Sequence, residues 1–194
     1  MKSVYLVLDV QNDTSNVEGP AGKGPVGEQI TGRRVIENTV TAIERARAAG
    51  LPIGFVRVGF SPSYIECPPD SPIFGPARKA GRFQLGTWGT ELHPALDVHP
   101  EDFHVTKHRV SPFYATPLMA QLSAMGVERI FCSGVSTSAV VQAAVRDGHD
   151  RDFQMVVLED CCAAASAEEH ANSIGTISRF CRVETLDSVD FGGN

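Results

Sequence analysis

The sequence lacks the features that mark nucleic-acid-binding, membrane and secreted proteins. Its 194 residues contain no basic block and carry a formal net charge of −6, so a surface that follows nucleic-acid phosphates is not expected. No apolar run approaches the roughly 20 residues needed to cross a bilayer. An apolar run starts at Val4, too close to Met1 for a signal peptide. We therefore expect a cytoplasmic protein with no nucleic-acid or membrane partner.

Paired cysteines and clusters of metal ligands are missing as well. The five cysteines include no C-x-x-C pair, and their odd number is typical of a reduced compartment. The six histidines form no short ligand cluster, and the glycine spacing of dinucleotide-binding folds is absent. The sequence thus predicts no metal and no cofactor.

What the sequence does contain is a regular alternation of strand and helix patterns. Short apolar runs predict six strands, at residues 4–8, 53–58, 103–107, 129–132, 154–158 and 182–186. Apolar residues at helical spacing predict helices near residues 35–46, 116–125 and 137–146. Ser166 and Glu169 form a capping box that opens another helix. The alternation predicts a single domain over residues 1–194, a three-layer α/β/α fold with a doubly wound, mostly parallel six-stranded sheet.

Two segments lack such patterns. Residues 14–32 are rich in glycine and polar residues and are predicted to form a loop. The proline-rich stretch from Gly59 to Gly86 is also predicted to be a loop, and loops of this length usually serve as lids or subunit contacts. A short helix is expected within residues 88–96.

Three polar features fall at the carboxyl ends of predicted strands. Asp9 ends the first strand, Lys107 ends the third, and residues 134–140 (GVSTSAV) join the fourth strand to its helix. Ligands of open parallel sheets bind beyond the carboxyl ends of the strands, where the strand order reverses. A carboxylate, an ammonium group and a helix N-terminus are therefore expected to converge there. Such a site can hold an anionic substrate on Lys107 and backbone amides while Asp9 transfers a proton.

Three aromatic residues near these strand ends, Trp88, Phe113 and Tyr114, are expected to form part of the pocket wall. Aromatic side chains at the edge of an element fit a core position equally well. Trp88 and the loop before it also fit a contact between subunits.

Four ordered segments resemble motifs of the isochorismatase-like hydrolase superfamily: residues 8–13 (LDVQND), 107–113 (KHRVSPF), 134–137 (GVST) and 157–163 (VLEDCCA). The resemblance implies a six-stranded parallel sheet, a homodimer or homotetramer and a small-molecule substrate. It also implies a cis peptide bond before Ser136. In the site it implies, Asp9 and Lys107 are catalytic, and Val135, Ser136, Thr137 and Val140 bind the substrate.

One position departs from the amidase branch of that superfamily. The branch carries a nucleophilic cysteine six residues after the motif glycine, and that position is Val140 here. The covalent route through a thiolate is therefore closed. True isochorismatases resemble this sequence more closely here, because they keep the aspartate and lysine and lack the thiol. Their aspartate is thought to protonate a vinyl ether. Val140 is bulkier than the glycine usual in them, so isochorismate itself is not the expected substrate.

These residues leave three interpretations open. The first is a hydrolase without cofactor that cleaves a vinyl ether or a C–N bond, with Asp9 as general acid/base and Lys107 polarising the substrate. The second is a non-catalytic descendant that binds a small molecule or a protein. The third is an amidohydrolase that uses Ser136 or Ser138 as nucleophile, although Ser138 falls where a helix N-cap is expected. Cysteines 132, 161 and 162 are expected in the core.

Overall fold

Six strands form one sheet in this computed structural model, which describes residues 1–192. The strands are β1 (Ser3–Leu8), β2 (Ile53–Val58), β3 (Phe103–Lys107), β4 (Arg129–Val135), β5 (Gln154–Ala163) and β6 (Arg182–Glu184). Their order across the sheet is β3-β2-β1-β4-β5-β6, and all neighbours pair in parallel. The predicted doubly wound six-stranded sheet is confirmed.

Helices connect the strands and cover the sheet. They are α1 (Asn12–Ser15), α2 (Pro25–Gly32), α3 (Val35–Ala48), α4 (Gly75–Lys79), α5 (Leu118–Met125), α6 (Gln142–His149) and α7 (Ala167–Ile177). A 3₁₀ turn spans Trp88–Thr90, and a π-helical turn, Thr137–Val141, leads into α6. None of the helices within residues 1–192 is long and apolar enough to cross a membrane.

The sheet separates two apolar layers because successive side chains of a strand point to opposite faces. Leu6 of β1 belongs to the cluster that contains Leu122 of α5 and Val145 of α6. Its neighbour Val7 belongs to the cluster that contains Ile43 of α3. The helices therefore lie on both faces, as the three-layer prediction requires.

The predicted loop over residues 14–32 is partly wrong, because it contains α2. Gly24 is the N-cap of this helix and Pro25 stands at its first turn, a position where proline is favoured. Ile30 is buried in a small cluster with Val35 and Val135. A single buried apolar anchor in a glycine-rich segment gives no periodic signal, so the pattern indicated a loop.

Three strands are longer than predicted, β1 by one residue and β4 and β5 by more, and β6 is shorter. β4 continues to Val135 and β5 to Ala163, through small and polar residues that do not look like a strand. The β4–β5 register shifts between Cys132 and Gly134. β6 ends at Glu184 rather than at residue 186.

The strand order reverses between β1 and β4, which pair side by side with Leu8 opposite Gly134. A side chain at Gly134 would place its Cβ 2.0 Å from the carbonyl oxygen of Leu8, and the residue has φ +146°. Only glycine fits this conformation and this close approach. Gly134 thus brings the residues that follow β4 next to Asp9, which follows β1.

We predict that Gly134→Ala lowers the free energy of unfolding by more than about 2 kcal/mol, because the backbone of β1 or β4 must shift and the residue is strained at its φ. Gly175→Ala in α7 is the matched control, since nothing lies within 4 Å of its added Cβ. This control should gain about 0.5–1 kcal/mol as a helical alanine. Urea unfolding of both variants tests the contrast, and equal stabilities would contradict it.

Candidate active site

A buried ion pair joins the ends of two strands that flank β2. The Asp9 Oδ2 to Lys107 Nζ distance is 2.8 Å, and the two side chains are 8% and 2% exposed. Asp9 directly follows β1 and Lys107 is the last residue of β3. The structure therefore brings the carboxylate and the ammonium group together, as predicted.

Each partner of this ion pair keeps bonding capacity that the described protein does not use. Lys107 Nζ donates a second hydrogen bond to the carbonyl oxygen of Arg109 at 3.1 Å. An ammonium group has three N–H donors, so these two bonds leave a third. Asp9 Oδ1 is buried and has no hydrogen-bond partner among the described residues. Buried polar atoms are nearly always paired, so this carboxylate oxygen and the spare N–H donor are both able to bond to a molecule in the cavity.

The backbone of Asp9 has a left-handed conformation, with φ +56°. Non-glycine residues are uncommon there, although aspartate is enriched among them. Its N–H donates to the Val56 carbonyl at 2.8 Å, and its carbonyl accepts a hydrogen bond from the Thr14 hydroxyl. These contacts hold the turn that aims the carboxylate across the strand ends toward Lys107.

Burial raises the pKa of Asp9, and the charge and hydrogen bond of Lys107 lower it; burial prevails, so the pKa lies above its usual value. Burial disfavours the ionised carboxyl group, and a neighbouring ammonium group favours it. The carboxyl group therefore binds a proton at higher pH than an ordinary aspartate. This property suits a group that gives and takes a proton.

Asp9 and Lys107 open into a cavity of about 130 Å³ with mainly apolar walls. Its polar lining comes from Asp9, Thr14, Lys107 and Ser136. Its apolar lining comes from Val58, Ile73, Phe74, Phe83, Val110, Val135, Ala139 and Val140. Walls of this kind exclude water and strengthen the few polar contacts inside.

A helix N-terminus borders the cavity. Ser136 is the N-cap of the Thr137–Val141 turn, and its carbonyl accepts from the N–H groups of Ala139 and Val141. The first N–H groups of a helix have no intrahelical acceptor, and they favour negative charge. The Val135–Ser136 peptide bond is cis, as the resemblance implied. Ser138 was expected at the cap; the cap lies two residues earlier because β4 extends to Val135.

Position 140 carries no nucleophile and points its valine into the cavity wall. Val140 is buried and lines the cavity.

Cys132, Cys161 and Cys162 are buried in the cores on the two faces of the sheet, as expected. Burial raises the pKa of all three thiols, that of Cys162 to about 12. They are therefore poor nucleophiles.

The serine route has little geometric support. Ser136 lines the cavity and Ser138 does not, and their hydroxyl oxygens lie 3.4 Å apart. No acidic or basic side chain within residues 1–192 is hydrogen-bonded to either hydroxyl. A serine nucleophile needs such a base.

The aromatic wall differs from the predicted one. Trp88 and Tyr114 are largely exposed, and Phe113 is buried in the core, stacked on Phe153 at a centroid distance of 6.0 Å. None of the three predicted aromatic residues lines the cavity. The turn before Phe113 is held toward α6 by a hydrogen bond from the Ser111 hydroxyl to Asp147, which directs Phe113 into the core.

The aromatic residues that do line the cavity, Phe74 and Phe83, come from the proline-rich stretch. They share a cluster with Val58 and Phe60 at the end of β2, where the Phe60 and Phe74 rings meet edge to face at 5.4 Å. The Phe83 N–H donates to Asp13 Oδ2 at 2.7 Å. The sequence pattern singles out the proline-rich stretch but not these two residues, since their placement depends on contacts between distant segments.

Thr137 is also placed differently from the other predicted substrate-binding residues. Val135, Ser136 and Val140 line the cavity, whereas Thr137 is fully buried behind it and its hydroxyl is paired with His170.

Three or more histidine, cysteine or carboxylate side chains do not come together as a set of metal ligands anywhere in the described residues.

Comparison with known proteins places the chain in one family. The family model described as Isochorismatase domain matches residues 3–188. The isochorismatase family protein YecD of Escherichia coli O157:H7, itself uncharacterized, is 34% identical over 192 residues, covering 96% of this chain and 94% of that protein. The ureidoacrylate amidohydrolase RutB of Methylobacterium radiotolerans is 31% identical over 188 residues, covering 90% and 72%.

Solved structures share the fold. An isochorismatase family protein from Desulfovibrio vulgaris superposes with a TM-score of 0.85 at 20% identity, covering 96% of this chain and 95% of that one. The N-carbamoylsarcosine amidase of Thermoplasma acidophilum gives a TM-score of 0.71 at 24% identity, covering 98% and 99%. With the match over nearly its whole length, the chain belongs to the isochorismatase family of hydrolases.

Proposed function

We propose that this protein hydrolyses a vinyl ether or a C–N bond in a small metabolite, without a cofactor and without a covalent thiol intermediate. Asp9 is the general acid/base and Lys107 holds and polarises the substrate. The observation that carries the proposal is the pair of unused polar groups in one apolar cavity, the Asp9 Oδ1 atom and the third N–H of Lys107.

Asp9 supplies the proton transfer. Because burial raises its pKa above the usual value, part of the population is protonated under conditions where an exposed aspartate is ionised. The protonated form can give its proton to the vinyl carbon of a vinyl ether, and water then adds to the resulting oxocarbenium ion and loses a proton to the Asp9 carboxylate. The hemiketal formed in this way breaks its C–O bond and releases an alcohol and a carbonyl compound. The ionised form can take a proton from water as that water attacks a carbonyl carbon, and it can then give this proton to the nitrogen as the C–N bond breaks.

Lys107 and the Thr137–Val141 turn receive the negative charge that develops on the substrate. The spare ammonium N–H can bond a carboxylate or a carbonyl oxygen. Ser136, the N-cap of the turn, lines the same cavity, and preorganised N–H donors stabilise an oxyanion most when water is excluded. Both groups are in place before the substrate binds, so they need no rearrangement during the reaction.

Water is the nucleophile in this proposal because position 140 is a valine. The same valine is the observation that favours the alternative, a non-catalytic protein that binds a small ligand in the cavity. The relatives named as amidohydrolase and amidase support including amides and carbamoyl compounds among the substrates to be tested.

A turnover screen tests the proposal directly. Purified protein is assayed against amides, carbamoyl compounds, esters and vinyl ethers. Asp9→Asn is expected to lower kcat/KM for any substrate found by at least about 100-fold, the usual contribution of a general acid/base. The exposed Asp187→Asn is the control and should leave turnover unchanged. Unchanged turnover in Asp9→Asn would exclude the mechanism, and ligand binding without turnover would favour the alternative.

Val140→Cys tests whether position 140 faces the charged groups. The new thiol should have a pKa below the ordinary value of about 8.5, because Lys107 and a helix N-terminus favour the thiolate. Iodoacetamide should therefore modify it at pH 7 at least about ten times faster than a cysteine in the core. Val141→Cys is the matched control, since Val141 is fully buried and does not line the cavity. Mass spectrometry follows the labelling. Equally slow modification of both cysteines would contradict the placement of position 140 beside the charged groups.

The protonation of Asp9 predicts how stability depends on pH. The pKa of Asp9 is higher in the folded protein than in the unfolded chain. The contribution of Asp9 to the free energy of unfolding is therefore complete below the unfolded pKa of about 3.9 and declines as pH rises through the folded pKa. Lys107→Met removes the group that lowers this pKa, so the decline should extend to higher pH. At pH 7 we expect a loss of about 3–5 kcal/mol, the cost of breaking a buried pair.

Urea unfolding between pH 4 and pH 7 measures this effect. The double variant Asp9→Asn/Lys107→Met has no ionisable group at either position, so the added pH dependence should vanish. Parallel pH profiles for the native protein and Lys107→Met would show that Asp9 does not control this part of the stability.

A further inference from the structure

Behind the cavity, the buried side chains of Thr137 and His170 and the partly exposed side chain of Glu159 form a continuous line of hydrogen bonds, which we call the Glu159–His170–Thr137 chain. The Thr137 Oγ1 to His170 Nδ1 distance is 2.8 Å, and the His170 Nε2 to Glu159 Oε2 distance is 3.0 Å. Thr137 is fully buried and His170 is 4% exposed. The three residues come from the π-helical turn, α7 and β5, so the chain ties three elements together.

The far end of the chain is fixed by Arg33. Its Nη2 atom lies 2.7 Å from Glu159 Oε2, and its Nε atom donates to the carbonyl oxygen of Cys162 at 3.1 Å. Arg33 sits between α2 and α3, so the orientation of the Glu159 carboxylate is set by the layer opposite α6.

The direction of each hydrogen bond follows from the charges. Burial acts to raise the pKa of Glu159, but hydrogen bonds and charge from His170 and Arg33 outweigh it and hold the pKa below its usual value. Burial lowers the pKa of His170, against the attraction of Glu159. An ionised Glu159 accepts from Nε2–H of a neutral His170. The Nδ1 atom is then an acceptor only, so Thr137 must donate its hydroxyl proton.

This direction matters because Thr137 is the first residue of the turn that borders the cavity. Its side chain is anchored on one side, and its backbone adjoins Ser136 and the N–H groups of the turn on the other. Thr137 itself does not line the cavity. A shift of an anchored turn by well under 1 Å is enough to misalign hydrogen-bond donors with a developing charge.

We propose that Glu159 and His170 act through Thr137 as positioning residues, which hold the amides at the start of the Thr137–Val141 turn in the orientation that stabilises negative charge in the cavity. The inference rests on the proposed role of these amides in catalysis. A merely structural chain would affect the stability of the fold but not the stabilisation of an anion at the cavity.

The thiol of the Val140→Cys variant provides a probe that needs no substrate, because the thiolate is an anion placed at the same turn. The pKa of this thiol is obtained from the pH dependence of iodoacetamide alkylation. Adding Thr137→Val, which keeps the shape and removes the hydroxyl, should raise the thiol pKa. The expected effect is an alkylation rate about threefold lower below that pKa, since half a pKa unit changes the thiolate population by that factor.

Two further variants separate positioning from packing. Thr137→Ser keeps the hydroxyl and loses a methyl group, and it should restore the alkylation profile of Val140→Cys. His170→Gln keeps a donor for Glu159 but no acceptor at the Nδ1 position, and it should behave like Thr137→Val. If Thr137→Val does not fold, the comparison of His170→Gln with Thr137→Ser decides the question.

The proposal is overturned if Thr137→Val and His170→Gln lower the melting temperature and leave the thiol pKa unchanged. It is also overturned if Thr137→Ser shifts the pKa as much as Thr137→Val does. Since the readout is alkylation and not turnover, a silent substrate screen would count against the proposed hydrolase and would leave this result intact.

Discussion

The site depends on one costly interaction, the ion pair between Asp9 and Lys107. Removing two charges from water costs several kcal/mol for each ion, and their attraction rarely returns much more than this. A pair of well-packed apolar side chains would stabilise these strand ends at least as well. The pair moreover leaves one carboxylate oxygen and one N–H unsatisfied. The proposed chemistry therefore explains the presence of the pair better than its contribution to stability does, and the surrounding walls are mainly apolar.

Parallel topology is what allows this pair to form. β1 and β3 are not neighbours; both pair with β2, so their carboxyl ends project on the same edge of the sheet. The left-handed turn at Asp9 then aims its carboxylate across β2 toward Lys107. On the other side of β1, the missing side chain of Gly134 lets β4 approach and brings a helix N-terminus to the same cavity. The ends of β1 and β3 and the close approach of β4 to β1 thus bring together the Asp9 carboxylate, the Lys107 ammonium group and the helix N-terminus.

The sequence predicts the parts of the molecule that depend on local pattern. Apolar runs located all six strands, and Asp9 and Lys107 follow from their positions at strand ends in a parallel sheet. Phe74 and Phe83 could not be found in this way, because their placement depends on the hydrogen bond between Phe83 and Asp13 across 70 residues and on a cluster at the end of β2. Phe113 was misplaced for the same reason, since a bond to Asp147 on α6 turns its loop toward the core.

The Glu159–His170–Thr137 chain depends both on local sequence pattern and on contacts between distant segments. Each residue belongs to a recognisable segment, yet nothing in their spacing shows that a strand, a helix and a turn meet around one imidazole.

The chain also bears on the missing cysteine. A cysteine at position 140 would add one reactive atom, whereas the ion pair, the anchored turn and the apolar cavity each depend on several residues. All of these are intact around Val140. Among the described residues, the paired charges keep one carboxylate oxygen and one N–H for a further partner, which fits the proposed chemistry carried by Asp9 and water.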